Sequence, residues 1–192
     1  MTACDLYPIL PPRFDLTAAL ETLRTILPIP AVTALRFPLG WTPEKTELAA
    51  FLDVLHTNRV AMILETSGVL SGIPKSLLGI CDGLHAADVE ALVDLRKTVG
   101  EDLPIGCLCT NRDDAMKAGE TGADYVAFPS GALDLVTWWS SVMELPAVAE
   151  SIQTPEDAAS ALSAGADFLA IPLHCDDKDR DRFLAVSALT AG

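Results

Sequence analysis

Basic side chains are scarce in this chain: Lys and Arg number 13 against 27 Asp and Glu, a formal net charge of −14. So acidic a surface repels nucleic acid and anionic lipid, and no cluster of Lys or Arg offsets it, so neither is expected as a partner. The densest charged stretch, residues 176–182, mixes signs and reads as a solvated helix start. No apolar run approaches the roughly 18 residues that mark a membrane helix. The N-terminus shows no basic stretch leading into an apolar one, so no secretory leader is expected. Cysteines are few and odd in number (Cys4, Cys81, Cys107, Cys109, Cys175), without the spacing of a disulfide framework. Reduced, mostly buried thiols in a cytoplasmic protein are the expectation. Also missing is a glycine-rich turn after the first apolar run, which counts against a dinucleotide-binding open sheet.

What is present is apolar and repetitive. Half of the 192 residues are hydrophobic and 21% are charged, which fits one folded domain over residues 1–192. Residues 113–129 and 156–172 carry the same unit. Each begins on acids suited to a helix N-terminus, continues as a small-residue helix, and reaches a glycine (Gly122, Gly165) able to take the left-handed conformation. Each then enters a short apolar run closed by proline, at 125–128 and 168–171, and another apolar run precedes each copy, at 104–109 and 146–149. The unit is strand–helix–strand, and buried parallel strands need helical crossovers.

The same alternation extends through the chain. Apolar runs at 6–10, 32–37, 60–64 and 79–85 precede the repeat, making eight strand candidates. Between them the spacing predicts helices over 16–27, capped by Asp15, from Thr42-Pro43 to about 56, over 88–99, 133–143 and 178–189. The stretch 69–80, with Gly72, Pro74 and Gly79, is the least regular, a short helix at best. Eight βα units favour a compact (βα)8 TIM barrel over a flavodoxin-like or Rossmann sheet, with tight loops because such barrels usually run to about 250 residues.

Several of these positions together resemble a family. Arg36 after the second strand, Asp82-Gly83-Leu84-His85 at the fourth, Gly122-Ala123-Asp124-Tyr125, and Thr154-Pro155-Glu156-Asp157 with Gly165-Ala166-Asp167 are similar to thiamine phosphate synthase and its TenI-type relatives. The resemblance runs in order over residues 6–171. It implies a barrel that joins a pyrimidine methyl diphosphate to a thiazole phosphate, releasing pyrophosphate with Mg2+, and it is compatible with a homodimer. Against the family's pattern this chain has Ala34, Arg36 and Pro38 where Gln-x-Arg-x-Lys is expected, and one carboxylate near Glu65 in place of an Asn-Asp pair. Asp88 or Glu90 would have to substitute for the magnesium-binding Asp, and Glu150-Ser151-Ile152 stands where Gly-Gly would meet a phosphate. A side chain there blocks the close approach that glycine permits, and an added carboxylate repels an anion.

In such barrels chemistry sits at the C-terminal strand ends, which here carry Arg36, Glu65, His85, Cys109, Glu150 and His174-Cys175. His85 with Glu65 is the expected catalytic pair, His174 and Glu150 being the other members of the same histidine–carboxylate reading; such pairs suit proton transfer near neutral pH. Arg36, Glu150, Ser151 and His174 are the expected ligand-binding residues for a small molecule, and Arg36 is equally a structural partner for Glu65. One of Cys107 and Cys109 is expected to point inward. His85, Cys109, His174 and an acid are zinc-type ligands without tight local spacing, so no metal site is expected. The functional expectation is a diverged synthase- or TenI-like barrel that lacks diphosphate transfer, or a pseudoenzyme whose mouth is filled by Phe37, Phe128 and Leu173, with Trp41, Trp138 and Trp139 as packing or interface aromatics. The alternative is a retained thiamine phosphate synthase, with Mg2+ as its cofactor.

Overall fold

The computed structural model describes residues 4–68 and 73–190. Strands and helices alternate: β1 Asp5–Ile9, α1 Leu16–Ile26, β2 Ala34–Phe37, α2 Lys45–Asn58, β3 Ala61–Thr66, α3 Lys75–Leu78, β4 Gly83–Ala86 and α4 Val89–Val99. Then follow β5 Ile105–Leu108, α5 Arg112–Thr121, β6 Tyr125–Phe128, α6 Leu133–Val142, β7 Ala147–Ala149, α7 Pro155–Ser163, β8 Phe168–Pro172 and α8 Lys178–Thr190. All strand pairs are parallel, and β8 returns to β1 with Asp5 opposite Phe168 and Ile9 opposite Pro172, closing an eight-stranded barrel. The (βα)8 expectation is met.

Strand alternation sorts the core into two shells. The inner shell comprises Tyr7, Ile63, Ala127, Val148 and Ala170, with Ile9, Ala34, Ala61, Leu108, Tyr125 and Phe168 packed on it. The outer shell lies between sheet and helices and is much larger. Phe37, Phe128 and Leu173 belong to this outer shell, so the expectation that they fill the mouth is overturned. Phe37 meets Phe51 of α2 edge-on, and Phe128 meets Trp139 of α6. Trp41 stacks on Phe37, and Trp139 is buried, so these tryptophans pack helices onto the barrel. Parity also sends both Cys107 and Cys109 outward into the buried shell, with Gly106 before them and Leu108 between them facing in; the expectation that one of the two points into the barrel is not met. All five cysteines are free.

Small residues on the buried faces of α5 and α7 (Ala115, Ala118, Ala158, Ala161) let these helices lie close on the sheet, consistent with a short chain closing a full barrel. Helix starts follow the capping chemistry. Asp15, Asp88 and Asn111 accept backbone N–H groups of α1, α4 and α5. Thr154 and Asp157 cap reciprocally at α7, with Pro155 in the first turn. The opening of α2 lies two residues later than Thr42: Glu44 is the cap, because Glu47 reaches back to its N–H at 2.9 Å. Of the irregular stretch 69–80, residues 69–72 lie outside the described residues and the remainder holds the four-residue α3.

The repeated Gly-Ala-Asp has a structural job. Asp124 accepts the N–H of Ile105 at 2.7 Å and Asp167 that of Ala147 at 2.9 Å; Asp82 does the same for Met62 at 2.7 Å. Each aspartate stands just before an even-numbered strand and satisfies an N–H at the start of the preceding odd one. The glycine two residues ahead of each repeat aspartate takes φ near +90°, turning the chain from helix to strand.

Candidate active site

Arg36 is the third residue of β2, and alternation turns it into the barrel, where only 6% of it stays exposed. A buried guanidinium needs an anion. It finds one across the barrel, just past β7: Nη1 and Nη2 donate to Oε1 and Oε2 of Glu150 at 2.6 and 2.8 Å, fork to fork. The expected partner Glu65, on the adjacent strand, is secondary. Its Oε2 lies 3.5 Å from Arg36 Nε, a nitrogen left without a hydrogen bond. Burial lowers the proton affinity of Arg36, but the charge and hydrogen bonds of Glu150 more than restore it, so the guanidinium stays charged. The guanidinium also lies over the Tyr7 ring, 5.6 Å from its centroid.

His85 faces inward from β4 and is 2% exposed. Its Nδ1 is 3.0 Å from the hydroxyl of Tyr125, which is 3.1 Å from the hydroxyl of Tyr7. On the other side, Nε2 lies 3.7 Å from Glu150 Oε1. Burial, then the positive Arg36, holds its pKa well below the ordinary histidine value, so the ring is neutral and carries one N–H. One assignment suits every partner: Tyr7 donates to Tyr125, Tyr125 donates to Nδ1, and the ring proton sits on Nε2 facing the carboxylate. Burial raises both phenol pKa values, which keeps the hydroxyls protonated donors. Tyr125 fits here because position 106 on the next strand is glycine; a Cβ there would stand 1.9 Å from Tyr125 Cζ.

A buried polar chain, Tyr7–Tyr125–His85–Glu150–Arg36, therefore crosses the barrel. It brings together Arg36, Glu150 and His85 among the expected site residues, with Glu65 at its edge. Although Glu65 pairs with His85 in strand register, the carboxylate nearest the imidazole is that of Glu150. Tyr7 and Tyr125 were not foreseen as site residues. The available signal was a glycine and an aromatic, Gly106 and Tyr125, at facing positions of neighbouring strands.

Ser151 follows Glu150 with φ +61°, the left-handed conformation that glycine adopts freely. Ser130, Gly131, Glu150, Ser151 and Asp157 line a 210 Å³ cavity at this rim. The turn keeps a glycine-like backbone while carrying a side chain. His174 stands apart: it is exposed, and its N–H and that of Cys175 donate to the buried Asp179, itself paired with Arg182. That carboxylate gives the His174 turn a structural account.

Magnesium fits these groups poorly. Asp88, the substitute for the family's metal-binding aspartate, spends its Oδ1 on the N–H of Ala91 at 2.7 Å, and Glu150 is held by Arg36. Among the described residues no three His, Cys, Asp or Glu side chains converge as a metal cluster.

No protein-family model matches the chain. Individual relatives do. The thiamine-phosphate synthase of Rhodospirillum centenum is 36% identical over 188 residues, covering 89% of this chain and 88% of that protein. The chain belongs to the thiamine-phosphate synthase family. The synthase of Hyphomonas neptunium is 32% identical over 86% of this chain and 83% of its own length. That of Erythrobacter litoralis is 39% identical over 106 residues, about half of each. Among solved structures, thiamine phosphate pyrophosphorylase from Pyrococcus furiosus superposes with a TM-score of 0.75 at 18% identity, covering 100% of this chain and 98% of that one. The N-acetylmannosamine-6-phosphate 2-epimerase of Clostridium perfringens gives 0.69 at 12% identity, over 89% and 87% of the two chains. At such identities these two likenesses speak to the fold, and they agree with the closed barrel seen here. Among the described residues no helix is long and apolar enough to cross a membrane.

Proposed function

We propose that the chain is a thiamine-phosphate synthase, joining a pyrimidine methyl diphosphate to a thiazole phosphate at the C-terminal mouth of the barrel. The observation that carries this reading is the match to a synthase over nearly the whole of both chains. Two local features support it. Arg36 is retained at the end of β2, and the turn at Ser151 keeps the left-handed backbone that glycine adopts freely. In this reading Arg36 is the cation that steadies a substrate phosphate, and Glu150 gives way when the anion enters. The Tyr125-held His85 keeps a neutral ring at the floor of the site. None of these roles requires a resident metal.

A second reading is a diverged barrel that binds a small molecule without transferring diphosphate. It is favoured by the closed state of Arg36: two carboxylates, Glu150 and Glu65, surround one guanidinium, leaving the mouth with a net negative charge. An uncharged or cationic ligand suits such a mouth better than pyrophosphate.

The test is direct turnover with both substrates and Mg2+, following thiamine phosphate, beside an Arg36→Ala variant shown to be folded. Product that disappears in the variant supports the synthase. Absence of product from folded wild-type protein supports the diverged barrel.

A further inference from the structure

The end of the barrel opposite the mouth is hollow. Barrel interiors of this type are ordinarily filled by layers of branched side chains. Here the inward residues opening β2 and β3 are Ala34 and Ala61. Their small size leaves a cavity of about 240 Å³ walled by Tyr7, Ala34, Ala61, Tyr125, Val148 and Phe168. Because Ala34, Ala61, Tyr125 and Phe168 are the first residues of parallel strands, the cavity lies at the N-terminal face, away from Arg36.

We propose that this cavity is a binding site for a single uncharged aromatic ring. Size is the first argument: an apolar cavity of about 150 Å³ already admits benzene, and this one is larger. The walls are the second, since Tyr7, Tyr125 and Phe168 offer ring surfaces for stacked or edge contacts. The tyrosine hydroxyls are engaged with each other and with His85, so the rings contribute their apolar parts to the hollow. Charge is the third. Asp5, Asp82 and Asp167 stand at the strand starts on this same face, which disfavours an anionic ring. The proposal is independent of the chemistry at the mouth. One wall residue, Tyr125, also holds His85, so an occupant touches the residue that fixes that imidazole.

The experiment is thermal unfolding and calorimetry of the full chain with toluene and with indole, beside benzoate at matched concentrations. Saturable binding of toluene or indole, with a rise in Tm and at least tenfold weaker response to benzoate, is the expected result. Ala61→Leu fills part of the hollow and should abolish that response. Should Ala61→Leu fail to fold, Ala34→Leu makes the same test from the neighbouring strand. No shift with either neutral ring, an equal response to benzoate, or an undiminished response in a folded filling variant would each overturn the proposal.

Discussion

Replacing Glu150 by Ala leaves the Arg36 guanidinium buried with little to answer it. Both terminal nitrogens lose their acceptors at 2.6 and 2.8 Å, while Nε already has no hydrogen bond. What remains is Glu65 at 3.5 Å and the Tyr7 ring at 5.6 Å. Breaking one side of a buried ion pair typically costs about 3–5 kcal/mol; with Glu65 able to take part of the charge, about 3 kcal/mol is expected. For a chain of this length each kcal/mol moves Tm by about 2–4 °C, so Tm should fall by about 6–12 °C. The informative control removes both partners. Arg36→Met with Glu150→Leu removes both members of the buried pair, leaves only the partly exposed Glu65 without its cation, and should return to within about 1 kcal/mol of wild type. Urea unfolding followed by circular dichroism, with unchanged m-values, measures all three proteins. A loss below about 0.5 kcal/mol in Glu150→Ala, or a double variant no better than the single, would refute the clasp.

Tyr125→Phe deletes the hydroxyl that meets His85 Nδ1 and should destabilise by about 1–2 kcal/mol, with nitrogen-15 NMR of His85 showing loss of the single Nε2–H tautomer; an unchanged histidine spectrum would sink the assignment. The His85 pKa is depressed in the folded state, so its contribution to stability is complete above the unfolded value near 6.5 and is lost as pH falls through it toward the folded value. The stability difference between wild type and His85→Gln should therefore shrink from pH 7 to 5, by up to about 1.4 kcal/mol per unit, and a flat difference would argue against a buried neutral ring. Ser151→Gly relieves the left-handed serine at some cost in unfolded-chain entropy, so a net gain of about 0.5 kcal/mol in denaturant midpoint is expected; a clear loss would mean that the serine side chain supports the turn.

Most of the barrel was legible because it is written in local terms. Eight apolar runs, acidic helix starts and glycine stops each act within a few residues, and the boundaries move by at most four positions between expectation and structure. The site was less legible because its contacts span the barrel. Arg36 was expected to meet either a ligand or Glu65 one strand away, but a long side chain pointing along the barrel interior reaches Glu150 just past β7 equally well, a separation of 114 residues. Strand order does not rank those partners. Cys109 was placed at the mouth by its position at a strand end, yet parity decides direction, and the inward slots beside it belong to Gly106 and Leu108. Tyr125 read as an ordinary buried strand residue; only the glycine facing it makes room for a ring that carries a hydroxyl to His85.

The three aspartate brackets also bear on how the chain reaches this shape. They link Asp82 to Met62, Asp124 to Ile105 and Asp167 to Ala147, spans of 20, 19 and 20 residues. Each ties one strand–helix–strand segment into a hairpin-sized loop whose closure entropy is modest. The β3–β4, β5–β6 and β7–β8 pairs thus have low contact order and can form early and separately. The seam between β1 and β8, where Asp5 meets Phe168, joins residues from opposite ends of the chain and carries the largest closure entropy. Three locally closed units and then one long-range seam are the expected order of assembly, with the seam closing last.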